Sequence, residues 1–349
     1  MWRNVGLRLV RKALNFRAGM LGLAFAAAFA GPCAAETIEL KLSHFLPGNS
    51  PAQAMFERWA ADLKSKSSGR LNLTVFPSGT MGPPARQFDL VRSGVADLAF
   101  VHPGFMPGRF RLSEVPFLPF LFTKDGKPLT NAAASSITTT LGEPLANEYI
   151  GTRVLYFVSI SRGALFFKTR KVQSLADMKG LRVRHNGPIT AAALTAWGAT
   201  PVAVQLPEIS DALAKGTIDG LTFSFEAAQT YRIEPVIKAA LNLNASGALF
   251  VLTMNDAKYK SLPQDLRRLI DTTTGVAAAR EMGAAYDRAE DAGLHYLRSH
   301  GIDIVDPSPD AISAFRRATE VVVRENLDKL GPVAKALHDK FVQATASWQ

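Results

Sequence analysis

Residues 37–77 read TIELKLSHFLPGNSPAQAMFERWAADLKSKSSGRLNLTVFP, and one change of period inside them decides the fold class. Ile38, Leu40 and Leu42 alternate with polar residues, the period-two pattern of a half-buried strand. Ser50 then stands where a helix N-cap belongs, with Pro51 at the first helical position and Gln53 placed to close a capping box. Phe56, Trp59, Ala60 and Leu63 follow at helical spacing until SSGR ends the element. LNLTVFP returns to period two. Strand, helix, strand is the βαβ unit of an open α/β sheet.

The same grammar recurs outward from this unit. PARQFDLVRSG reads as a helix ending at Gly94, and VADLAFV as a buried strand stopping at HPG. In the second half PEISDALAKG is a helix ending at Gly216, and TIDGLTFSF is the strand after it. The likeness between the two phrases is one of pattern, too weak for a sequence repeat, and two α/β lobes explain it. Residues 262–301 contain no proline after Pro263 and carry apolar residues at helical spacing, which predicts one or two long helices able to cross from one lobe to the other.

Residues 1–35 read as a secretory signal peptide. Arg3, Arg8, Arg11, Lys12 and Arg17 form a basic stretch without acids, LGLAFAAAFA is a short apolar run, and CAAE offers small residues for processing after Ala35. The apolar run is too short to span a bilayer comfortably, and no later segment predicts membrane insertion. Pro32 directly before Cys33 argues against a lipid anchor. Processing removes the only cysteine, so the mature chain holds together by its core rather than by disulfides. It also removes five of the 40 basic residues and none of the 30 acids, leaving 35 − 30 = +5. That charge is spread without a basic block or interleaved aromatics, which leaves a nucleic-acid partner unsupported and suits a protein that attracts anions.

Enzyme signatures are missing. There is no GxSxG, HExxH, GxxxxGK[ST] or GxGxxG phrase, and the six histidines show no metal-ligand spacing, so neither a catalytic residue, a metal nor a cofactor is predicted. Glu290 and Asp291 are adjacent on a helix and do not face each other. One short phrase stands out instead. In GLRVRHNGP, Leu181 and Val183 alternate with Arg182 and Arg184, which puts both arginines on one strand face, turned to solvent or to something negative. Arg184 is the later of the two, at the carboxyl end of the strand, where open α/β sheets receive ligands.

Six phrases in register, RLNLTVFPSGTMG, LVRSGVADLAF, VPFLPFLF, LADMKGLRVR, ALAKGTIDG and SLPQDLRRLI, resemble the periplasmic solute-binding proteins of TRAP transporters, the DctP-type family, over about residues 37–330. The resemblance implies a two-lobed periplasmic-binding-protein fold, of the Venus flytrap kind, with discontinuous lobes and a long interlobe helix. Lobe 1 is expected over residues 36–158 and 249–290, and lobe 2 over 159–248 and 291–349 with the C-terminal helices. It further implies an organic carboxylate as ligand, delivered to small and large integral membrane subunits. In this family the arginine of the GLRVR phrase clamps the ligand carboxylate, which falls on Arg184, and a second arginine lies nearest to Arg162 of SISRGALFF. Members that bind sialic acid have an acid where this chain has His102, and an asparagine where it has Phe223. A sugar acid is therefore disfavoured, and a ligand with an apolar or aromatic body is expected against Phe223, Phe225 and Phe105.

His102 and His44 both end predicted strands and are cleft candidates on that ground. Gln87 and Asn186 complete the candidate set, although their residue types equally suit a wet surface. Two other functions remain open from the sequence: a periplasmic carboxylate sensor that presents its ligand to a receptor, and an enzyme on the same fold.

Overall fold

The computed structural model describes residues 37–245 and 247–349; the expected signal peptide lies outside them. Thirteen strands follow in chain order: β1 (Ile38–His44), β2 (Leu71–Phe76), β3 (Leu98–Val101), β4 (Thr123–Lys124), β5 (Lys127–Pro128), β6 (Thr152–Ile160), β7 (Ala164–Phe167), β8 (Arg182–Arg184), β9 (Thr200–Val202), β10 (Gly220–Phe223), β11 (Ala239–Leu241), β12 (Ala248–Asn255) and β13 (Asp303–Val305). They form a five-stranded sheet in the order β2-β1-β3-β12-β6 and a six-stranded sheet in the order β13-β11-β7-β10-β8-β9, with β4 and β5 as a small hairpin. Strands β1 and β3 run parallel, while β12 is antiparallel to β3 and β6. In the second sheet β8, β9 and β10 are parallel and β7 runs against both its neighbours. The fold is that of two-lobed α/β binding proteins.

The sequence logic of the opening unit holds with one change. Ser50 caps the helix Pro51–Lys66 and accepts from the Gln53 amide at 3.4 Å. The Gln53 side chain does not close the box. His44 stands 2.7 Å from its Oε1, and its Nε2 donates to Glu57, so the amide is spent on tying strand to helix.

Two cores result. Phe88, Val101, Phe157 and Val251 belong to the first, and Phe167, Val183, Leu194 and Trp197 to the second. The chain passes between the sheets at 161–163, from β6 to β7, and returns between β11 and β12. The helix Pro309–Leu330 joins the second core through Phe315, whose carbonyl accepts from Trp197 Nε1 at 3.0 Å. The final helix, Pro332–Ser347, joins the first core through Phe341.

The long predicted helical stretch forms two helices, Gln264–Thr272 and Val276–Ser299, separated at Gly275, whose φ of 78° favours glycine. The second acts as a strap. Asp287 accepts from the Asn131 and Ala132 amides (2.7 and 3.0 Å) at the start of the helix Asn131–Thr140. One turn on, Glu290 accepts from the Phe225 and Glu226 amides (2.8 and 2.9 Å) at the start of the helix Phe225–Thr230, which follows β10. One helix thus satisfies the amino-terminal amides of a second helix beside each sheet.

Candidate functional site

Strand β8 sorts the two arginines. Arg182, near its open end, lies at the surface and makes a two-point ion pair with Asp219, Nε to Oδ2 at 3.0 Å and Nη2 to Oδ1 at 2.8 Å. That pairing holds the Asp219 carboxyl below its usual range. Arg184, on the same face two residues later, is 1% exposed. Its Nε donates to the Val204 carbonyl at 3.2 Å, its Cζ lies 5.7 Å from the Phe223 ring centre, and it makes no ion pair with any described acidic side chain. Burial pulls its pKa down to about 10, so it remains a cation at neutral pH. A buried guanidinium without an anion is costly.

The space in front of it is a cleft of about 700 Å³, its mouth included, reached from both sheets. Phe45, Phe105, Phe250 and Tyr286 wall it on one side, and Phe223, Ala227 and Tyr231 on the other. His102, at the end of β3, is stacked on Phe105 at 4.4 Å with Phe250 edge-on at 5.2 Å. Burial, reinforced by the charge of Arg184, lowers its pKa to about 3, which leaves the imidazole neutral. The Gly104 amide donates to Nδ1 at 3.0 Å, so the ring proton sits on Nε2 as a donor. A second ionisable group, Glu226, lines the same cleft, and burial raises its pKa to about 7. The arrangement can seat a flat apolar body whose anionic end meets Arg184.

The sequence profile of the family described as "Bacterial extracellular solute-binding protein, family 7" (DctP) matches residues 42–329. The chain belongs to that family. Family 7 proteins are the solute-capturing components of TRAP transporters. Among solved structures, a marine metagenome TRAP solute-binding protein specific for aromatic acid ligands, in complex with metahydroxyphenylacetate, is 25% identical, with a TM-score of 0.82 over 88% of this chain and 98% of that one. One from Rhodoferax ferrireducens, in complex with copurified benzoate, is 28% identical, with a TM-score of 0.80 over 88% and 98%. The 2,3-diketo-L-gulonate-binding periplasmic protein YiaO of Escherichia coli is 25% identical over 252 residues, 70% of this chain and 73% of its own. No helix among the described residues of this family 7 chain is long and apolar enough to cross a membrane.

Of the residues expected at the family 7 site, Arg184, His102, Phe223 and Asn186 line the cleft, as does Phe105. The Asn186 side chain is committed to the scaffold, donating to the Gly247 carbonyl at 3.1 Å and accepting from Thr190 at 2.6 Å. Four do not line it. His44 is turned under the sheet onto Gln53 and Phe56. Gln87 is buried and accepts from Ser43 at 2.7 Å while donating to the Gly82 carbonyl, a tie between β1 and its neighbouring loop. Phe225 is not on the strand: Ser224 caps a new helix, and the ring turns into the core against Phe166. Arg162 sits on the passage between the sheets, paired with Asp291 at 3.1 Å. Among the described residues no cluster of three or more His, Asp or Glu side chains is arranged to hold a metal. Sequence reasoning missed Glu226, Tyr231, Tyr286, Phe45 and Phe250, of which Phe45, Glu226 and Tyr231 carried a signal, their place after the carboxyl ends of β1 and β10.

Proposed function

We propose that the protein captures a monocyclic aromatic carboxylate in the periplasm and delivers it to the small and large membrane subunits of a TRAP transporter. The observation that carries this reading is Arg184: a buried, anion-free guanidinium at the head of a ring-walled cleft. A planar fork that keeps its charge can bind a carboxylate through two parallel hydrogen bonds. Cleft walls made mostly of aromatic side chains suit a flat apolar body, and neutral His102 adds an Nε2 donor. Phe223 offers nothing to the hydroxyls of a sugar acid, and His102 offers a single donor. The aromatic-acid and benzoate complexes of two relatives support the ligand class, and the sugar-derived acid named for YiaO is its competitor.

Capture then proceeds by lobe closure. The two sheets with their cores serve as lobes over the expected boundaries, except that the final helix is carried by the first. The passages at 161–163 and between β11 and β12 are the hinge. The mature chain begins near Glu36 after signal removal. No catalysis is assigned to the site, and presentation to a receptor instead of a symporter would be exposed by failure of uptake in vesicles containing the membrane subunits. The ligand class is tested by mass spectrometry of the acid released from protein purified out of the periplasm, with thermal-shift screening of a carboxylate library. A ring carboxylate is expected. A sugar acid as the released compound and strongest stabiliser would overturn the proposal.

A further inference from the structure

The cleft has a second polar end. Glu226, Thr230 and Tyr231 all come from the short helix after β10 and its cap, and all face the cavity. Glu226 Oε1 accepts from the Thr230 hydroxyl at 2.7 Å; among the described residues no donor meets its other oxygen and no cation pairs with it. The Tyr231 hydroxyl is buried without a hydrogen-bond partner among the described residues. Glu226, Tyr231 and Arg184 all line the one cleft, and among the described residues no ion pair joins the buried acid to the buried cation. Burial raises the Glu226 carboxyl against the lowering effect of the bond from Thr230.

A structural duty does not account for this acid. The amides at the start of its helix are already met by Glu290 and by Ser224. Thr230 could return its hydroxyl to a backbone carbonyl one turn back, as other threonines of this chain do. What Glu226 retains is a spare acceptor aimed into an otherwise apolar wall, next to a phenol that lacks a partner. Buried polar groups in this state are completed by what fills the cavity.

The geometry points to Glu226 as a specificity residue that selects ring acids carrying a hydroxyl group, the ligand's hydroxyl donating to Glu226 and accepting from Tyr231 while its carboxylate meets Arg184. This rests on the aromatic-carboxylate reading above. A site built to hydrogen-bond a ligand hydroxyl rejects the analogue without it far more strongly than an apolar wall rejects an extra group, because its own polar atoms would be left unpaired.

Calorimetry with phenylacetate and benzoate, each beside its 2-, 3- and 4-hydroxy isomers, tests the assignment on the intact mature protein. At least one hydroxy isomer should bind about 100-fold or more tighter than its parent. Glu226→Leu should bring that ratio to near unity while the parent acid binds as well as before or better, and Glu226→Gln, which keeps an acceptor, should retain most of it. The assignment is overturned if wild-type protein binds a parent acid as tightly as all its hydroxy isomers, or if a folded Glu226→Leu weakens every acid by one common factor. Arg184→Ala separates the two readings, since it should weaken parent and hydroxy acids alike. If no ring acid binds wild-type protein, or Arg184→Ala changes nothing, the aromatic-carboxylate reading itself falls and this one with it.

Discussion

Gly293 of the strap helix provides a test whose sign is informative. A Cβ built there would lie 2.4 Å from the Phe225 carbonyl oxygen and 2.5 Å from its carbon, where ordinary contact begins at 3.4 Å. Gly293→Ala therefore forces the strap and the Phe225–Thr230 helix apart by about 1 Å. The same displacement stretches the two bonds from Glu290 to the Phe225 and Glu226 amides beyond hydrogen-bonding range. Two buried donors left unmet cost about 1–3 kcal/mol each, and the better helix propensity of alanine returns about 1 kcal/mol. The expected net loss is about 1–5 kcal/mol, read from urea denaturation followed by circular dichroism. Because the displaced helix carries Glu226 and Tyr231, affinity for a ring acid should fall too. Gly283→Ala, which meets the Asn131 carbonyl at 2.4 Å, should lose stability through the other helix without moving the cleft wall. A Gly293→Ala protein as stable as wild type, or more so, would refute the strap as described, since propensity alone would then have decided the outcome.

Two further expectations follow from charge. Glu226 and Glu290 are both raised by burial to about 7, so between pH 6.5 and about 8 the folded chain still holds protons that the unfolded chain has lost, and stability should fall as pH rises, by at most about 1.4 kcal/mol per pH unit for each proton. Between about pH 4.5 and 6.5 the two acids keep this slope while the lowered pKa of His102 opposes it, because the unfolded imidazole takes a proton the buried one refuses; ligand-free urea curves at several pH values above 6.5 isolate the acids, and a flat or rising profile there would contradict their burial. Arg182→Ala removes a surface pair, so it should leave the urea midpoint nearly unchanged and ligand affinity within about threefold, measured by calorimetry.

The regular elements were legible because burial imposes a period, which β1 follows through Leu42 and β2 through Thr74. The site was legible where topology does the placing. Arg184, His102 and Phe223 end strands at the side of a sheet that faces the cleft, and a strand end is visible in sequence. His44 met the same criterion and failed it, because its side chain turns beneath the sheet to Gln53. Gln87 was proposed on residue type alone, and it starts a helix with its side chain tied to Ser43. Phe225 was misplaced when period two was carried one residue too far, past a serine that caps a helix. Glu290 and Asp291 show what spacing leaves out: they are adjacent and point apart as predicted, but only packing reveals that one holds a buried helix start and the other a surface arginine. Phe45 carried the strand-end signal, since it directly follows β1, but Phe250 and Tyr286 reach the cleft from the middle of a strand and of a long helix, and nothing local marks them.

The claim that Arg184 is the carboxylate clamp is the one on which the functional account turns. Titration calorimetry of wild type, Arg184→Ala and Arg184→Lys with the ring acid that most raises the melting temperature measures it directly. Leaving a bound carboxylate unpaired in a closed cleft should weaken binding by about 2–5 kcal/mol in the alanine variant, and lysine should bind poorly because a point charge lacks the planar fork. Affinities near wild type in both variants, with circular dichroism showing an intact fold, would contradict the account.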